Sequence, residues 1–453
     1  MGYNKNMSKI FFSGIGGSGV SALASFMADR GHIAVGSDRL FDKIPDHPVC
    51  KILKAKGIRI APQDGSGIDK SFDFAVFSTA VEDNQPEVLK AKELGVPIKT
   101  RPQYLCEIVS AFKTVAVAGT SGKSTTAGML TFLMDRLGLG PNFIGGGRVK
   151  QFKTGSNPGN SLTGSSDLLI AEACESDGSI VDYYPFVTII TNLSLDHNEI
   201  GETAEMFEIL GRNTKEKIIV NGDDENLSRC RIKKPIRFSI GTDSEYRAEA
   251  VEYQPFSTNF SLHGIPFKLS LPGKHNLYNS LPCIALLAEM GISLRDIARI
   301  LPDFSGIDRR FDIYMNNEKR LVIDDYAHNP HKITSLMETV KKIRERICYI
   351  FQPHGYGPTR LMKREYIKVF TSSLRKEDHL ILLPIFYAGG TSIRDISSED
   401  LCNEITAAGR SAEVLRERSL LLNRLKEWDN YVVFGARDES LAEFVREIAL
   451  RLE

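Results

Sequence analysis

A chain of 453 residues is long enough for two or three domains, each with a core of its own. Lys plus Arg and Asp plus Glu both number 57, so neither a nucleic-acid tail nor a polybasic membrane patch is expected. No apolar run approaches a membrane span, no signal-type segment opens the chain, and the seven cysteines never fall in CxxC spacing; the expectation is a cytoplasmic protein with reduced thiols.

The first segment, residues 1–112, begins KIFFSGIGGSGVSALASFMADRGHIAVGSD. A strand runs into Gly14, Gly16 and Gly19 in G-x-G-x-x-G spacing, a helix follows, and a second strand ends at Asp38. In that context the turn, with Gly17 and Ser18 inside it, reads as a site for a nucleotide diphosphate, and Asp38 stands where a ribose-binding acid belongs. The same pattern would serve a nicotinamide cofactor, and a purely structural turn stays open. FAVFSTAV is a further strand with a polar end at Ser78.

The second segment, residues 113–308, opens on VAVAGTSGKSTTAGML. Val115 to Val117 fit a buried strand, and Met129, Leu130, Leu133, Met134 and Leu137 recur on one helical face. Between them lies a glycine turn, Gly119 to Thr125, feeding a helix N-terminus whose free N–H groups favour an anion. Lys123 adds charge for terminal phosphates, and the Ser124 hydroxyl suits a phosphate-bound magnesium ion. Thr120, Ser121 and Gly122 complete a loop shortened by the Val at 117. Further strands in DLLIAEACESDGS, PFVTIITNLSLDHNE and KIIVNGDDEN end in Glu172, Glu175, Asp177, Asn192, Asp196 and His197, which the ends of parallel strands should gather near the phosphates. Glu175 and His197 fit a magnesium site, though strand-end capping remains an alternative for each. His275, Asn276 and Asn279 open an apolar helix.

The third segment, residues 309–453, alternates the strands RLVID, ICYIFQ, HLILLP and NYVVFG with amphipathic helices, another parallel α/β layer. Polar clusters follow the strands in DDYAHNPHK, QPHGYGPTR and GARD. Their histidines lack zinc spacing, and a substrate or nucleotide held across a cleft suits them better.

The ordered series GIGGSG, GSD, AVAGTSGKSTT, EACESDGS, TNLSLDH, PGKHNLYN, DRRFD, DDYAHNP and FQPH resembles the Mur ligase family over nearly the whole chain. The resemblance implies an α/β protein of three domains: a Rossmann-like one for the UDP part of a UDP-sugar, a central P-loop domain for ATP, and a C-terminal Rossmann-like one closing over ATP and the amine. It implies ATP-dependent joining of an amino acid, L-alanine first, to the carboxylate of UDP-N-acetylmuramate through an acyl phosphate, in peptidoglycan precursor synthesis. By the same resemblance Ser124 and Glu175 hold one of two magnesium ions and His197 the other. Asn276, Asn279, Arg310 and Asp325 meet the nucleotide, and Tyr326, His328 and Arg360 face the amine substrate.

The chain departs from the alanine-adding members at Ser121 for a histidine, Cys174 for an acid, Gly355 and Pro358 for arginines, and Arg437 and Asp438 for small residues. Arginine forks recognise carboxylates, so these changes bear on the acceptor. A tripeptide-adding recycling ligase, a nucleotide-binding protein without turnover and a nicotinamide oxidoreductase are the competing readings. Monomer and dimer are both open.

Overall fold

The computed structural model describes residues 7–195, 199–387 and 393–453. Its contacts form two compact units, residues 1–307 and 308–453.

Two parallel layers build the first unit. The first sheet orders its strands as Arg59–Ile60, Ile33–Ser37, Lys9–Ser13, Phe74–Phe77 and Ile98–Thr100, every pair parallel. Chain direction across this sheet reverses beside Lys9–Ser13, the switch point where a loop can open outward to take a ligand. The second sheet runs Tyr246–Arg247, Ile236–Ser239, Lys217–Asn221, Val187–Ile190, Lys113–Ala118, Leu168–Glu172, Asn142–Ile144, Ser161–Leu162, with only the last strand antiparallel.

Strand alternation decides how these layers join. Val115, Val117, Ile170 and Ile189 point into a core shared with the helices Lys123–Arg136 and Lys274–Glu289. Their neighbours Ala116, Ala118, Leu169, Ala171 and Ile190 point the other way, into one core with Phe12, Leu23 and Phe26 of the first layer. That common core makes one compact unit of the first two segments.

A further small sheet is absent from the sequence expectations. Glu249–Tyr253, Thr258–Leu262 and Ile265–Leu269 form a separate antiparallel sheet. Thr258, Phe260 and Leu262 are buried and alternate with less buried neighbours. The turn between the last two strands places both His263 (φ 50°) and Gly264 (φ 74°) in left-handed backbone, the geometry of a tight hairpin.

In the second unit a six-stranded sheet runs Asp312–Asn316, Leu321–Asp325, Asn430–Phe434, Ile347–Phe351, His379–Leu382, Ala412–Val414. The first strand pairs antiparallel and the others parallel. The four expected strands are central and almost wholly buried. The two unexpected ones are half-buried edges whose hydrophobic signal is weak. Among the described residues no helix is long and apolar enough to cross a membrane, and all seven cysteines are free.

Candidate active site

The strand Lys113–Ala118 delivers the chain to Gly119 (φ 131°), and Gly122 (φ 83°) caps the helix Lys123–Arg136. Both glycines are required by space as well as by backbone. A Cβ at Gly119 would stand 2.0 Å from Thr191 Oγ1, and one at Gly122 2.2 Å from Asn279 Oδ1. The loop is braced from the neighbouring strand end. Asn192 accepts from Thr120 Oγ1 (2.7 Å) and Ser121 N (2.9 Å), while its own amide donates to Ser121 O (2.9 Å). Its shape is therefore set before any ligand arrives.

Lys123 Nζ donates to Glu175 Oε2 at 2.8 Å and to the Gly119 carbonyl at 2.5 Å. Burial opposes charge on this ammonium, yet Glu175, with Cys174 and Glu172 near, holds its pKa above the usual lysine value. Ser124 Oγ donates to Glu172 Oε2 (2.9 Å), whose other oxygen accepts from Gly146 N (2.6 Å) and Gly147 N (3.3 Å). Two carboxylates and a hydroxyl thus meet a lysine at one helix N-terminus. Hard oxygen donors of this kind suit magnesium, and a glycine cradle ahead of a lysine suits a polyphosphate. Asn279 lies against Gly122, and Asn276 Nδ2 donates to Pro272 O (2.8 Å). Thr125 is buried in the first turn of the helix. His197 and Asp196 lie outside the described residues.

In the first layer, Gly14 (φ 77°) turns the chain beside Ser78, whose Cβ would sit 2.9 Å from a Cβ at Gly14. Gly17 caps the helix Ser18–Asp29, and Gly19 lies in its first turn. Asp38 has structural work here. One oxygen accepts from Gly16 N (2.8 Å) and the other from Leu40 N (2.9 Å), capping the short helix Arg39–Lys43. A Cβ at Gly16 would come within 2.8 Å of that carboxylate, so Asp38 itself accounts for the second glycine.

In the second unit, buried Arg309 forks onto Asp324 (Nε–Oδ2 3.0 Å, Nη2–Oδ1 3.3 Å) and donates to the carbonyls of Gly435 and Asp438 (both 2.9 Å). Burial pushes the Asp324 carboxyl up, and Arg309 pulls it back. Asp325 accepts from Phe311 N and Ala327 N, both at 2.7 Å. His328 Nδ1 lies 2.9 Å from the Tyr326 carbonyl, which can only accept, so Nδ1 carries the proton and Nε2 keeps its lone pair. Burial, then the charges of Lys332 and His354, hold its pKa well below the usual histidine value. Its ring meets those of Tyr326 (5.6 Å) and His354 (4.9 Å), and Arg310 lies 5.8 Å from the Tyr326 ring. Arg360 turns to Asp395 and the Ile393 carbonyl. Beside it Tyr356 and Tyr387 pack at 5.5 Å, with Arg394 4.4 Å over Tyr387.

The sequence gives no signal that Glu172 would bond Ser124, nor that Gly146 and Gly147 would hold that acid. Those contacts follow from strand order.

Three family models match the chain: "Mur ligase family, catalytic domain" over residues 9–113, "Mur ligase middle domain" over 117–287, and "Mur ligase, glutamate ligase domain" over 309–449. A UDP-N-acetylmuramate–L-alanine ligase of Fusobacterium nucleatum is 32% identical, covering 99% of this chain and 98% of its own. One from Hydrogenovibrio crunogenus is 31% identical, covering 95% and 96%. The crystal structure of UDP-N-acetylmuramate-alanine ligase MurC from Thermotoga maritima superposes with a TM-score of 0.81 at 26% identity, covering 98% and 99%. A murein peptide ligase, Mpl, from Psychrobacter arcticus shares the fold, with a TM-score of 0.73 at 21% identity over 98% of each chain.

Proposed function

The chain belongs to the Mur ligase family, and on that premise we propose that it is an ATP-dependent ligase joining L-alanine to the carboxylate of UDP-N-acetylmuramate in peptidoglycan precursor synthesis. The observation that carries the reading is the meeting of Lys123, Ser124, Glu172 and Glu175 at one helix N-terminus, in a chain matched end to end by alanine-adding relatives.

In the reaction, the substrate carboxylate oxygen bonds to the γ-phosphorus of ATP as the bond to ADP breaks. The amine then attacks the acyl carbon, and inorganic phosphate leaves. Lys123 and the first-turn N–H groups bear on the charge of the transferred phosphoryl group, for which Lys123 exchanges its contact with Glu175. Ser124 and Glu175 would supply oxygens for a magnesium ion, with Glu172 orienting the Ser124 hydroxyl; such an ion would offset repulsion between two anions, and His197 would belong to a second. Asn276, Asn279, Arg310 and Asp325 serve the nucleotide. The glycine turn from Gly14 to Gly19, with Ser78 near it, serves the UDP-sugar. Neutral His328 offers Nε2 to a proton shed by the amine, and Tyr326 shapes the same place.

A specific observation keeps a larger acceptor in play. Arg360 is engaged by Asp395, and two tyrosines and Arg394 occupy its surroundings. The test is phosphate release from ATP and magnesium with UDP-N-acetylmuramate, against L-alanine, L-serine, glycine and the L-Ala-γ-D-Glu-diaminopimelate tripeptide. Release with L-alanine is expected. Release with tripeptide alone moves the chain to the recycling reaction, and no release with any acceptor overturns the ligase reading.

A further inference from the structure

Between the glycine turn and the acidic motif lies an arginine to which nothing above gives a role. Arg101 opens the helix Arg101–Ala111, whose start is pinned by a reciprocal cap: Thr100 Oγ1 accepts from Gln103 N (3.3 Å) and Gln103 Oε1 from Thr100 N (2.8 Å). The first turn of this helix holds no acid. A cation at that end opposes the helix dipole, so the position asks for an anion from elsewhere. Arg101 reaches in two directions. Nη2 contacts Asp177 Oδ2 at 2.5 Å. On the other side, a Cβ at Gly19 would lie 3.1 Å from its Cδ and 3.7 Å from Nε and Nη1. The third glycine of the turn therefore clears room for this side chain.

A plain clamp between the layers is the simpler account, but the fold already has one. Buried Asn160 donates to Ser18 O (2.7 Å) and Ser21 Oγ (2.9 Å), fastening the start of the helix Ser18–Asp29 that carries Gly19. Arg101 and Asp177 instead remain partly open to solvent, at 22% and 16%. Asp177 is two residues beyond Glu175, which holds Lys123. A continuous series thus runs from the glycine turn through Arg101, Asp177 and Glu175 to the phosphate loop.

We propose that Arg101 is a substrate-positioning residue whose guanidinium engages the diphosphate held at the glycine turn and orients the sugar toward Lys123. The inference rests on the UDP-sugar reading above. Asp177 holds the fork in place from behind, leaving its other donors to the phosphate.

The experiment compares UDP binding by calorimetry, ATP binding and thermal melting for wild type, Arg101→Gln, Arg101→Lys and the charge-swapped double variant Arg101→Asp with Asp177→Arg. Losing one charge-assisted contact should weaken UDP binding by about tenfold or more in Arg101→Gln, with ATP binding unchanged. Arg101→Lys keeps the charge but not the fork and should fall between. The swap should recover the melting temperature without recovering UDP affinity. Undiminished UDP binding in Arg101→Gln, or its recovery in the swap, overturns the inference and reduces the pair to a clamp. A wild type that binds no UDP overturns the UDP-sugar reading, and the inference with it.

Discussion

Lys123 Nζ and Glu175 Oε2 stand 2.8 Å apart at the mouth of the phosphate loop, with Glu175 only 2% exposed. This contact gives the lysine a structural partner beside its proposed role at the phosphate. Lys123→Ala should lower kcat/KM for phosphate release by at least about 10²–10³-fold, the usual cost of one charge-stabilising donor. It should also destabilise the fold by up to about 3–5 kcal/mol, because Glu175 loses its ammonium where water is scarce. Phosphate release and urea denaturation read the two effects separately; full turnover in Lys123→Ala would sink the proposed chemistry.

Glu172 holds Ser124 Oγ at 2.9 Å and the Gly146 amide at 2.6 Å. Glu172→Gln should raise the magnesium concentration for half-maximal activity by about 10–100-fold, the range for partners that orient a metal ligand. A magnesium titration at saturating ATP tests this. An unchanged midpoint would show that Glu172 only braces the loop.

Gly122→Ala meets two obstacles, a φ of 83° and an Asn279 oxygen 2.2 Å from the new Cβ. The backbone term alone should cost about 1–2 kcal/mol. Adding Asn279→Gly removes the clash and leaves the dihedral penalty, so the double variant should recover part of the stability. Recovery of all of it would mean that the left-handed conformation costs nothing here.

Glu87 is fully buried, and burial pushes its pKa above the ordinary glutamate range against the pull of Ser13, whose hydroxyl donates to it at 2.5 Å. The folded chain therefore keeps this proton at pH values where the unfolded chain has lost it. Its contribution to stability falls as pH rises from the ordinary glutamate value through the folded one. Glu87→Gln should melt higher than wild type near about pH 8, with the gain shrinking towards about pH 5. A difference that does not vary with pH would contradict a raised pKa.

The parts of the site that could be read early are those the backbone dictates locally. Gly119 and Gly122 announce themselves because only glycine tolerates the turn that aims a helix at an anion. Asp38 is a different case: its place after the second strand fits a ribose contact, and in the fold its two oxygens also accept from Gly16 N and Leu40 N. Both uses want an acid at that position. The Arg360 guanidinium is held by Asp395, thirty-five residues on, a partner that no local pattern announces. The antiparallel sheet escaped because its alternation is short and lies between stronger parallel patterns.

From sequence alone come the types of the main elements, their order along the chain and the glycine loop proposed to hold phosphate, since hydrophobic period, glycine placement and capping act over a few residues. Tertiary structure decided which side chains meet. Ser124 reaches Glu172 because Leu168–Glu172 lies beside Lys113–Ala118 in the sheet. Arg101 reaches Asp177 because Ala116, Ala118 and Ile190 share one core with the first layer. Strand neighbours and shared cores are chosen by the summed burial of the whole chain, and no local pattern encodes that sum.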